Sequence, residues 1–443
     1  MIQLGDSDEW VHIGRLAEIG PAKNVHLGVT YEHVLAILGK RGSGKSFTLG
    51  TLLEGLCTRE PETSIGRITK QRAALLFDTL NIFQWMTSPV SEKTSSSQIA
   101  EQERLLSRWD LEPVELDVDL WVPAGFESRV TGRARPFQIR DWDMTADDWA
   151  ALLGVDSVQD VMGQLLTTIL DKVTRRGWTR TNGTPVTSTN EYRIRDLLDC
   201  LADDQGVQGD YAAVTIRAVR QRLSAYEASP LFGEVGTTLS DLLQPGRLSV
   251  MLLSGIPDDV RLVVIYLTIR KLLQARAEAS EAAKTLELGF ADDDQERARV
   301  MDVLQNAPPK SWVVIDEAQN VFPSERQTTA SETLLRFVRE GRNFGLSLAF
   351  TTQQPTALDS RIMAQVDTFI VHTLTVQRDI AAVTANLKSK EPDRVSLNGQ
   401  PRSLPDAIRD LDVGQAFVSS VDIDRSFFMD VRPRVSVHGG FEG

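Results

Sequence analysis

The sequence predicts an α/β protein built around a largely parallel β-sheet. Short apolar runs, each long enough for one buried strand, occur at 34–38, 73–77, 248–253, 312–315, 346–350 and 369–371. Helical patterns separate most of these runs, and strands that alternate with helices are typical of parallel sheets. The first run leads through glycines into a helical pattern at 45–57, and the run at 312–315 ends in two acidic residues.

Helical patterns dominate residues 145–232, which predicts a helical insertion into the α/β domain. Thr145, followed by Asp147 and Asp148, fits a helix N-cap with acids in the first turn. We therefore expect five segments: a short strand-rich lead (1–33), the first part of the core (34–144), the helical insertion subdomain (145–232), the second part of the core (233–425) and an extended C-terminal tail (426–443).

Composition limits the classes of protein to consider. The 443 residues are 42% hydrophobic and 25% charged, which is ordinary for a globular protein of two or three domains. Cys57 and Cys200 are the only cysteines, so we expect no disulfide framework and a cytoplasmic location. The apolar runs are far shorter than a membrane span, so we expect no membrane association. A net charge of −13 disfavours broad binding to nucleic acid, although one basic loop or channel remains compatible with it.

Residues 39–46 fit the phosphate-binding motif G-x-x-x-x-G-K-[ST], with a strand before it and a helix after it as the motif requires. Backbone N–H groups of such a loop surround phosphate oxygens, and the helix N-terminus adds a favourable dipole. A glycine-rich turn that binds nothing is disfavoured by this context. Lys45 is expected to neutralise the β- and γ-phosphates, and Ser46 to coordinate Mg²⁺. The predicted ATP-binding residues are Gly39, Lys40, Arg41, Gly42, Ser43, Gly44, Lys45, Ser46 and Phe47.

The strand at 312–315 ends in Asp316 and Glu317, which is the Walker B arrangement. Asp316 is expected to hold Mg²⁺, directly or through water, and Glu317 to orient and polarise the attacking water. Acids at a strand end are often only solvated, but the phosphate-binding loop favours the catalytic interpretation. Gln353 ends the next strand, where it would act as a sensor near the γ-phosphate or form part of a polar turn.

Arginines recur at helical spacing before the strand at 346–350, at Arg336, Arg339 and Arg342. An arginine at a helix end can complete a neighbouring subunit's site, but a cationic last turn also offsets the helix dipole. Composition alone favours the second interpretation. The basic stretches 175–180 and 129–135 would contact a nucleic-acid backbone or remain solvated loops, and the residues favour solvated loops.

Several segments together resemble one family. They are 36–39 leading into the phosphate-binding loop, Leu-Ser-Gly-Ile-Pro at 253–257, Asp-Glu-Ala-Gln-Asn at 316–320, Arg-Glu-Gly-Arg-Asn-Phe-Gly at 339–345, Thr-Gln-Gln-Pro at 352–355, and Val-Arg-Pro-Arg at 431–434 continuing to His-Gly-Gly at 438–440. In this combination the chain resembles the HerA-type ATPases, the DUF87 branch of the HerA/FtsK superfamily. The resemblance covers about two thirds of the chain and implies a RecA-like P-loop NTPase core.

The resemblance also implies a homo-hexameric ring with ATP at the subunit interfaces. Arg342 would then be the arginine finger that acts in trans, Gln353 the sensor, and 426–440 a tail that braces the neighbouring subunit. Members of the family translocate double-stranded DNA, usually with a nuclease or another effector protein, in DNA end resection or antiphage defence.

Some features depart from the family's pattern. About thirty residues precede the first core strand, fewer than the family's full N-terminal β-barrel needs, and that barrel docks the nuclease. Gln319 stands where histidine is common, and Gln354 where arginine is common. Two functions therefore stay open: an ATP-driven DNA translocase or helicase, and an ATP-gated oligomeric scaffold that assembles and activates a partner effector.

Overall fold

A computed structural model describes residues 1–5, 7–17, 23–69, 72–90, 96–112, 114–130, 133–291, 293–324, 329–387, 394–397, 399–423 and 426–440. The strands are β1 (Ile2–Leu4), β2 (Trp10–Leu16), β3 (Asn24–Gly28), β4 (Val34–Leu38), β5 (Glu62–Thr63), β6 (Gly66–Arg67), β7 (Ala73–Asp78), β8 (Val118–Pro123), β9 (Arg135–Phe137), β10 (Ile139–Arg140), β11 (Trp178–Thr179), β12 (Pro185–Val186), β13 (Phe232–Gly233), β14 (Leu248–Leu252), β15 (Ser311–Ile315), β16 (Leu346–Thr352), β17 (Thr368–Val371), β18 (Val395–Leu397), β19 (Gln400–Arg402), β20 (Gln415–Ser420) and β21 (Phe427–Val431).

The α-helices are α1 (Lys45–Leu56), α2 (Ser97–Arg108), α3 (Ala146–Leu153), α4 (Val161–Asp171), α5 (Ile194–Asp203), α6 (Gln205–Asp210), α7 (Ala213–Glu227), α8 (Leu239–Leu242), α9 (Asp258–Glu287), α10 (Asp294–Asn306), α11 (Thr329–Glu340), α12 (Ser360–Met363), α13 (Gln377–Thr384) and α14 (Leu404–Arg409). None of the helices in these described ranges is long and apolar enough to cross a membrane.

Eight strands form a parallel sheet in the order β17-β4-β16-β15-β7-β14-β8-β9. Each of the six apolar runs expected to be strands is one of them, so the prediction of a largely parallel α/β sheet is confirmed. Strands in such a sheet are covered on both faces, which explains why their sequences are continuously apolar rather than alternating.

The two faces of the sheet pack into two separate core layers. Along β4, Val34, Ala36 and Leu38 pack into one layer. The intervening Leu35 and Ile37 pack into the other layer with α1. This alternation follows from the two-residue period of a strand. Packing on both faces holds β4 rigidly up to its carboxyl end, where the phosphate-binding loop begins.

Antiparallel strands from both ends of the sequence extend the sheet beyond β17. The order continues as β20, β21, β2 and β3, and β2 pairs with β21 through Gly14–Val431. The segment expected to be a separate tail from residue 426 therefore begins as a strand of the central sheet. The reason is local, because Phe427, Phe428 and Met429 are apolar and buried in the sheet's two core layers.

The rest of that segment packs on its own chain, on the helix that follows the phosphate-binding loop. The Glu54 carboxylate of α1 pairs with Arg432 at 3.1 Å and Arg434 at 3.2 Å, and all three side chains are fully buried. Glu54 also accepts hydrogen bonds from Val435 N–H and from both N–H and Oγ–H of Ser436. The family resemblance led us to expect residues 426–440 against a neighbouring subunit. Within the single chain, two buried guanidinium groups bind this segment to α1, because buried cations require a partner. The expected contact with a neighbouring subunit stays a prediction.

Helices α3 to α7 occupy the region predicted to be a helical insertion. Thr145 caps α3 as expected, in a reciprocal capping box with Asp148. Trp149 donates a hydrogen bond to the Tyr192 hydroxyl at 2.9 Å, which joins α3 to the segment before α5. Helix α4 begins at Val161, because Asp156 and Asp160 hold a turn before it, and a π-helical turn at Lys172–Arg176 follows it.

Candidate nucleotide site

The site lies where the carboxyl ends of five adjacent parallel strands meet. In sheet order, β17 leads to His372, β4 to the phosphate-binding loop, β16 to Gln353, β15 to Asp316 and Glu317, and β7 ends at Asp78. Such an edge is where open α/β sheets bind ligands. The strand order, which the sequence does not reveal, brings these distant segments together.

The phosphate-binding loop requires glycine at two positions for different reasons. A side chain on Gly39 would place its Cβ 2.5 Å from Ser43 Oγ and 2.7 Å from His372 Cβ. Gly44 precedes α1 with φ +104°, a backbone conformation that other residues rarely adopt. These two constraints let the loop close tightly and aim the first N–H groups of α1 into the site.

Lys45 extends from the first turn of α1 and is only 5% exposed. Its ammonium group donates a hydrogen bond to the carbonyl oxygen of Lys40 at 3.0 Å. Burial lowers the pKa of Lys45, while the nearby Glu317 and Asp316 act in the opposite direction. A buried ammonium group beside two acids suits a residue that neutralises phosphate charge.

Asp316 is fully buried at the end of β15. One oxygen, Oδ1, accepts a hydrogen bond from Thr351 Oγ at 2.6 Å, whereas Oδ2 is buried with no hydrogen-bond partner among the described residues. Burial, reinforced by Asp78, raises the pKa of Asp316 to about 7. An ionised carboxylate in this position needs a cation, and oxygen ligands are those that Mg²⁺ prefers. Asp316 therefore fits a magnesium ligand, together with the Ser46 hydroxyl at the start of α1.

Glu317 follows in a left-handed backbone conformation, with φ and ψ both 57°. Such a conformation costs a non-glycine residue about 1 kcal/mol or more and is found often at functional sites. Its backbone N–H donates to Thr351 Oγ at 2.9 Å, which helps to hold this geometry. The carboxylate accepts hydrogen bonds from the side-chain amides of Gln353 at 2.5 Å and Gln319 at 2.7 Å. Glu317 and Gln353 are therefore in direct contact.

His372 is a residue of the site that sequence reasoning missed. Its ring is fully buried beneath the loop, with Nε2 2.8 Å from Thr48 Oγ and Nδ1 2.8 Å from the carbonyl oxygen of Gln415. Because a carbonyl oxygen only accepts, Nδ1 carries the proton and Nε2 accepts from Thr48. Burial lowers the pKa of His372 to about 4, so the ring is neutral. It supports both the loop and the first turns of α1.

The structure brings most of the predicted site residues together at this edge of the sheet, and Arg342 is the exception. Lys45 lies beside Asp316 and Glu317, and Gln353 contacts Glu317. Lys40 and Arg41 are exposed on the loop, and the ring of Phe47 packs edge-on against His438 at 5.2 Å. Arg342 is not among them.

Arg342 precedes β16, in a 3-10 turn at Gly341–Phe344, and so lies at the opposite edge of the sheet. Seven strand residues separate it from Gln353, which corresponds to roughly 20 Å. Its guanidinium group pairs with both carboxylate oxygens of Asp367, at 2.8 and 3.0 Å. Arg336 pairs with Glu340, and Arg339 is exposed. Arg342 is therefore too far away to act on nucleotide bound by its own chain.

The basic stretch 175–180 is largely neutralised. Arg176 pairs with Asp171 and Arg180 with Asp203, while Trp178 is only 7% exposed with Arg180 over its ring. A buried tryptophan has no free face on which a base could stack. Arg135, in the other basic stretch, pairs with Asp119. The stretch 175–180 therefore does not present the stacking surface that single-stranded nucleic acid prefers.

Comparison with known proteins identifies the family. The family model described as "Helicase HerA, central domain" (DUF87) matches residues 11–272, more than half of the chain. A model described as Zonular occludens toxin (Zot) matches residues 253–380. The DNA double-strand break repair helicase HerA of Pyrococcus furiosus is 23% identical over 258 residues, 55% of this chain and 46% of that protein. A probable helicase of Methanocaldococcus jannaschii is 31% identical over 98 residues, 21% of this chain and 19% of that protein. The matched regions thus span less than half the length of these relatives.

Solved structures support the same fold. The structure of VirB4 of Thermoanaerobacter pseudethanolicus matches 97% of this chain and 98% of its own, with a TM-score of 0.53 and 14% identity. At that identity the match concerns the fold alone. It agrees with the parallel sheet described above. The chain therefore belongs to the HerA family of P-loop ATPases and carries that family's central domain.

Proposed function

We propose that copies of this chain assemble into a hexameric ring, as the family resemblance implies, and hydrolyse ATP at the interfaces between them. One observation carries the proposal. Lys45, Asp316, Glu317 and Gln353 meet at one edge of the sheet, whereas Arg342 lies at the other. In a head-to-tail ring, the sheet edge that carries Arg342 in one subunit can face the sheet edge that carries Lys45 and Glu317 in the next. Arg342 would then complete its neighbour's site.

Each residue has a distinct role in the proposed mechanism. ATP with Mg²⁺ would supply the phosphoryl group and the charge neutralisation that the reaction requires. Lys45 and the loop N–H groups would bind the phosphates, and Ser46 with Asp316 would hold the metal. Glu317 orients the attacking water and accepts its proton, because its carboxylate is positioned and buried beside Lys45. Arg342 stabilises charge that develops on the neighbour's γ-phosphate, which can raise the rate by roughly 10³–10⁵-fold.

A subunit-mixing experiment tests the shared site. Arg342→Ala and Glu317→Gln should each abolish hydrolysis while ATP still binds. When the two inactive variants are mixed, some interfaces combine Glu317 of one copy with Arg342 of the next, so activity should return in part. The control is each variant mixed with a chain that carries both Arg342→Ala and Glu317→Gln, because neither of these mixtures forms an intact interface. Full activity of Arg342→Ala alone, or no recovery on mixing, would remove Arg342 from the site.

We further propose that hydrolysis drives movement along double-stranded DNA, together with a nuclease or another effector, in DNA end processing or antiphage defence. The names of the curated relatives, which are helicases, motivate this proposal. ATPase activity should then increase when duplex DNA is added at low salt, because phosphate contacts weaken as salt rises. Unchanged turnover with duplex DNA at low salt would contradict it.

A second function, an ATP-gated scaffold for a partner effector, is supported by the charge of this chain. Its net charge is −13, and the basic stretch 175–180 is internally paired around a buried tryptophan. A scaffold predicts a stable complex with an effector encoded beside it, whose activity depends on nucleotide. An effector that is equally active with and without this chain would exclude the scaffold.

A further inference from the structure

The carboxylate of Glu317 is held on both oxygens by glutamine side chains. Gln353 Nε2 donates to Oε1 at 2.5 Å, and Gln319 Nε2 donates to Oε2 at 2.7 Å. The two glutamines come from different elements, since Gln353 follows β16 and Gln319 lies in the 3-10 turn Ala318–Asn320 just after Glu317. The two glutamines can therefore contribute differently to holding the Glu317 carboxylate in place.

The orientation of the Gln319 amide is determined by its two partners. Glu317 can only accept, so the amide nitrogen of Gln319 must face it. The carbonyl oxygen of Gln319 then faces Thr352, whose hydroxyl donates to it at 2.7 Å. Thr352 Oγ itself accepts from the backbone N–H of Gln354 at 3.1 Å. A continuous chain of hydrogen bonds thus runs from the end of β16 through Gln319 to Glu317.

Gln353 is held less firmly than Gln319. In the described part of the chain, its amide nitrogen bonds to Glu317 but nothing donates to its carbonyl oxygen. Both polar ends of the Gln319 side chain are engaged, one of them by the fully buried Thr352. Gln353 can therefore exchange its hydrogen bond for another acceptor at a smaller free-energy cost than Gln319.

We propose that Gln319 is the positioning residue that keeps Glu317 in place while Gln353 exchanges its hydrogen bond from Glu317 to the γ-phosphate of ATP. This inference rests on the proposed ATP hydrolysis. Gln319 touches neither nucleotide nor water in this scheme, and it acts through Glu317. Thr352 acts one step further away, by preventing the Gln319 amide from turning.

Steady-state kinetics of Gln319→Leu and Thr352→Val test this role. Gln319→Leu removes both hydrogen bonds at similar side-chain volume, and it should lower kcat about 10- to 100-fold while the KM for ATP and nucleotide affinity change less than about 3-fold. Thr352→Val should lower kcat by less, because Gln319 can still donate to Glu317. The double variant should be no slower than Gln319→Leu alone, because both substitutions break one chain of bonds. Gln354→Leu, an exposed neighbour, is the matched control and should behave like the wild type.

Other results would overturn the role of Gln319. These are a kcat of Gln319→Leu within about 3-fold of the wild type, a loss of ATP affinity in proportion to kcat, or independent, multiplying effects of the two substitutions. If Gln319→Leu does not fold, Thr352→Val decides alone, and a wild-type kcat for it overturns the inference. Absence of hydrolysis by the wild-type chain would instead refute the proposed function itself.

Discussion

Replacing Glu54 with glutamine should destabilise the protein strongly, although Glu54 lies outside the nucleotide site. Its buried carboxylate is the shared counter-ion of Arg432 and Arg434 and accepts three further hydrogen bonds from residues 435–436. Removing one partner of a buried ion pair leaves uncompensated charge and typically costs about 3–5 kcal/mol. At an unfolding entropy of about 2.1 cal/mol/K per residue, 443 residues give about 0.9 kcal/mol/K. The expected decrease in Tm is therefore about 3–5 °C.

Thermal unfolding followed by circular dichroism measures this decrease, and limited proteolysis shows whether residues 432–440 become accessible. The matched control is Glu115→Gln, which breaks the exposed ion pair with Arg59, whose side chains are 71% and 54% exposed. Exposed pairs contribute about 0–1 kcal/mol, so its Tm should change by about 1 °C or less. Equal Tm values for the two variants would refute the reasoning that burial makes the Glu54 cluster important.

Three further predictions concern the nucleotide site. Lys45→Ala should weaken ATP binding at least about 10-fold, measured by titration with a fluorescent nucleotide, since the buried ammonium group is lost; unchanged affinity would contradict its role. Glu317→Gln should bind ATP normally but lose hydrolysis by about 100-fold or more in single-turnover assays, and normal hydrolysis would assign the base elsewhere. Burial lowers the pKa of His372 to about 4, so the neutral ring is favoured in the folded state. The folded state should therefore lose about 3 kcal/mol of stability through this residue as pH falls from about 6.5 to about 4. Unfolding free energies at pH 7 and pH 4 should differ less in His372→Gln than in the wild type, and an equal difference would exclude this contribution.

The parts of the molecule that the sequence predicted are local in the chain. The phosphate-binding loop, the strand before it and the helix after it are specified by consecutive residues, and β4 and α1 occur where they were expected. The acids at the end of β15 were recognisable for the same reason. Their interpretation needed only a strand pattern and two residue types.

The parts that were missed depend on which strands become neighbours. Thr351 supports both Asp316 and Glu317 because β16 lies beside β15 in register. His372 lies under Gly39 because β17 pairs with β4. The two threonines at the end of the apolar strand β16 were the available signal for the contacts with Asp316 and Glu317. A single histidine at a strand end gives no signal of its position. The pairing of Arg432 and Arg434 with Glu54 was also missed, because it joins segments that lie far apart in the sequence.

The pairing of β2 with β21 has a consequence for the synthesis of this protein. Gly14 lies opposite Val431, and Arg432 donates to the carbonyl oxygens of His12 and Thr51. More than four hundred residues are therefore translated before the first strands and α1 find these partners. At a typical rate of about 5–20 residues per second, that interval lasts roughly 20–80 s. During it, Glu54 of α1 lacks its two arginines and the edge of β2 that later pairs with β21 is open, which exposes the nascent chain to aggregation.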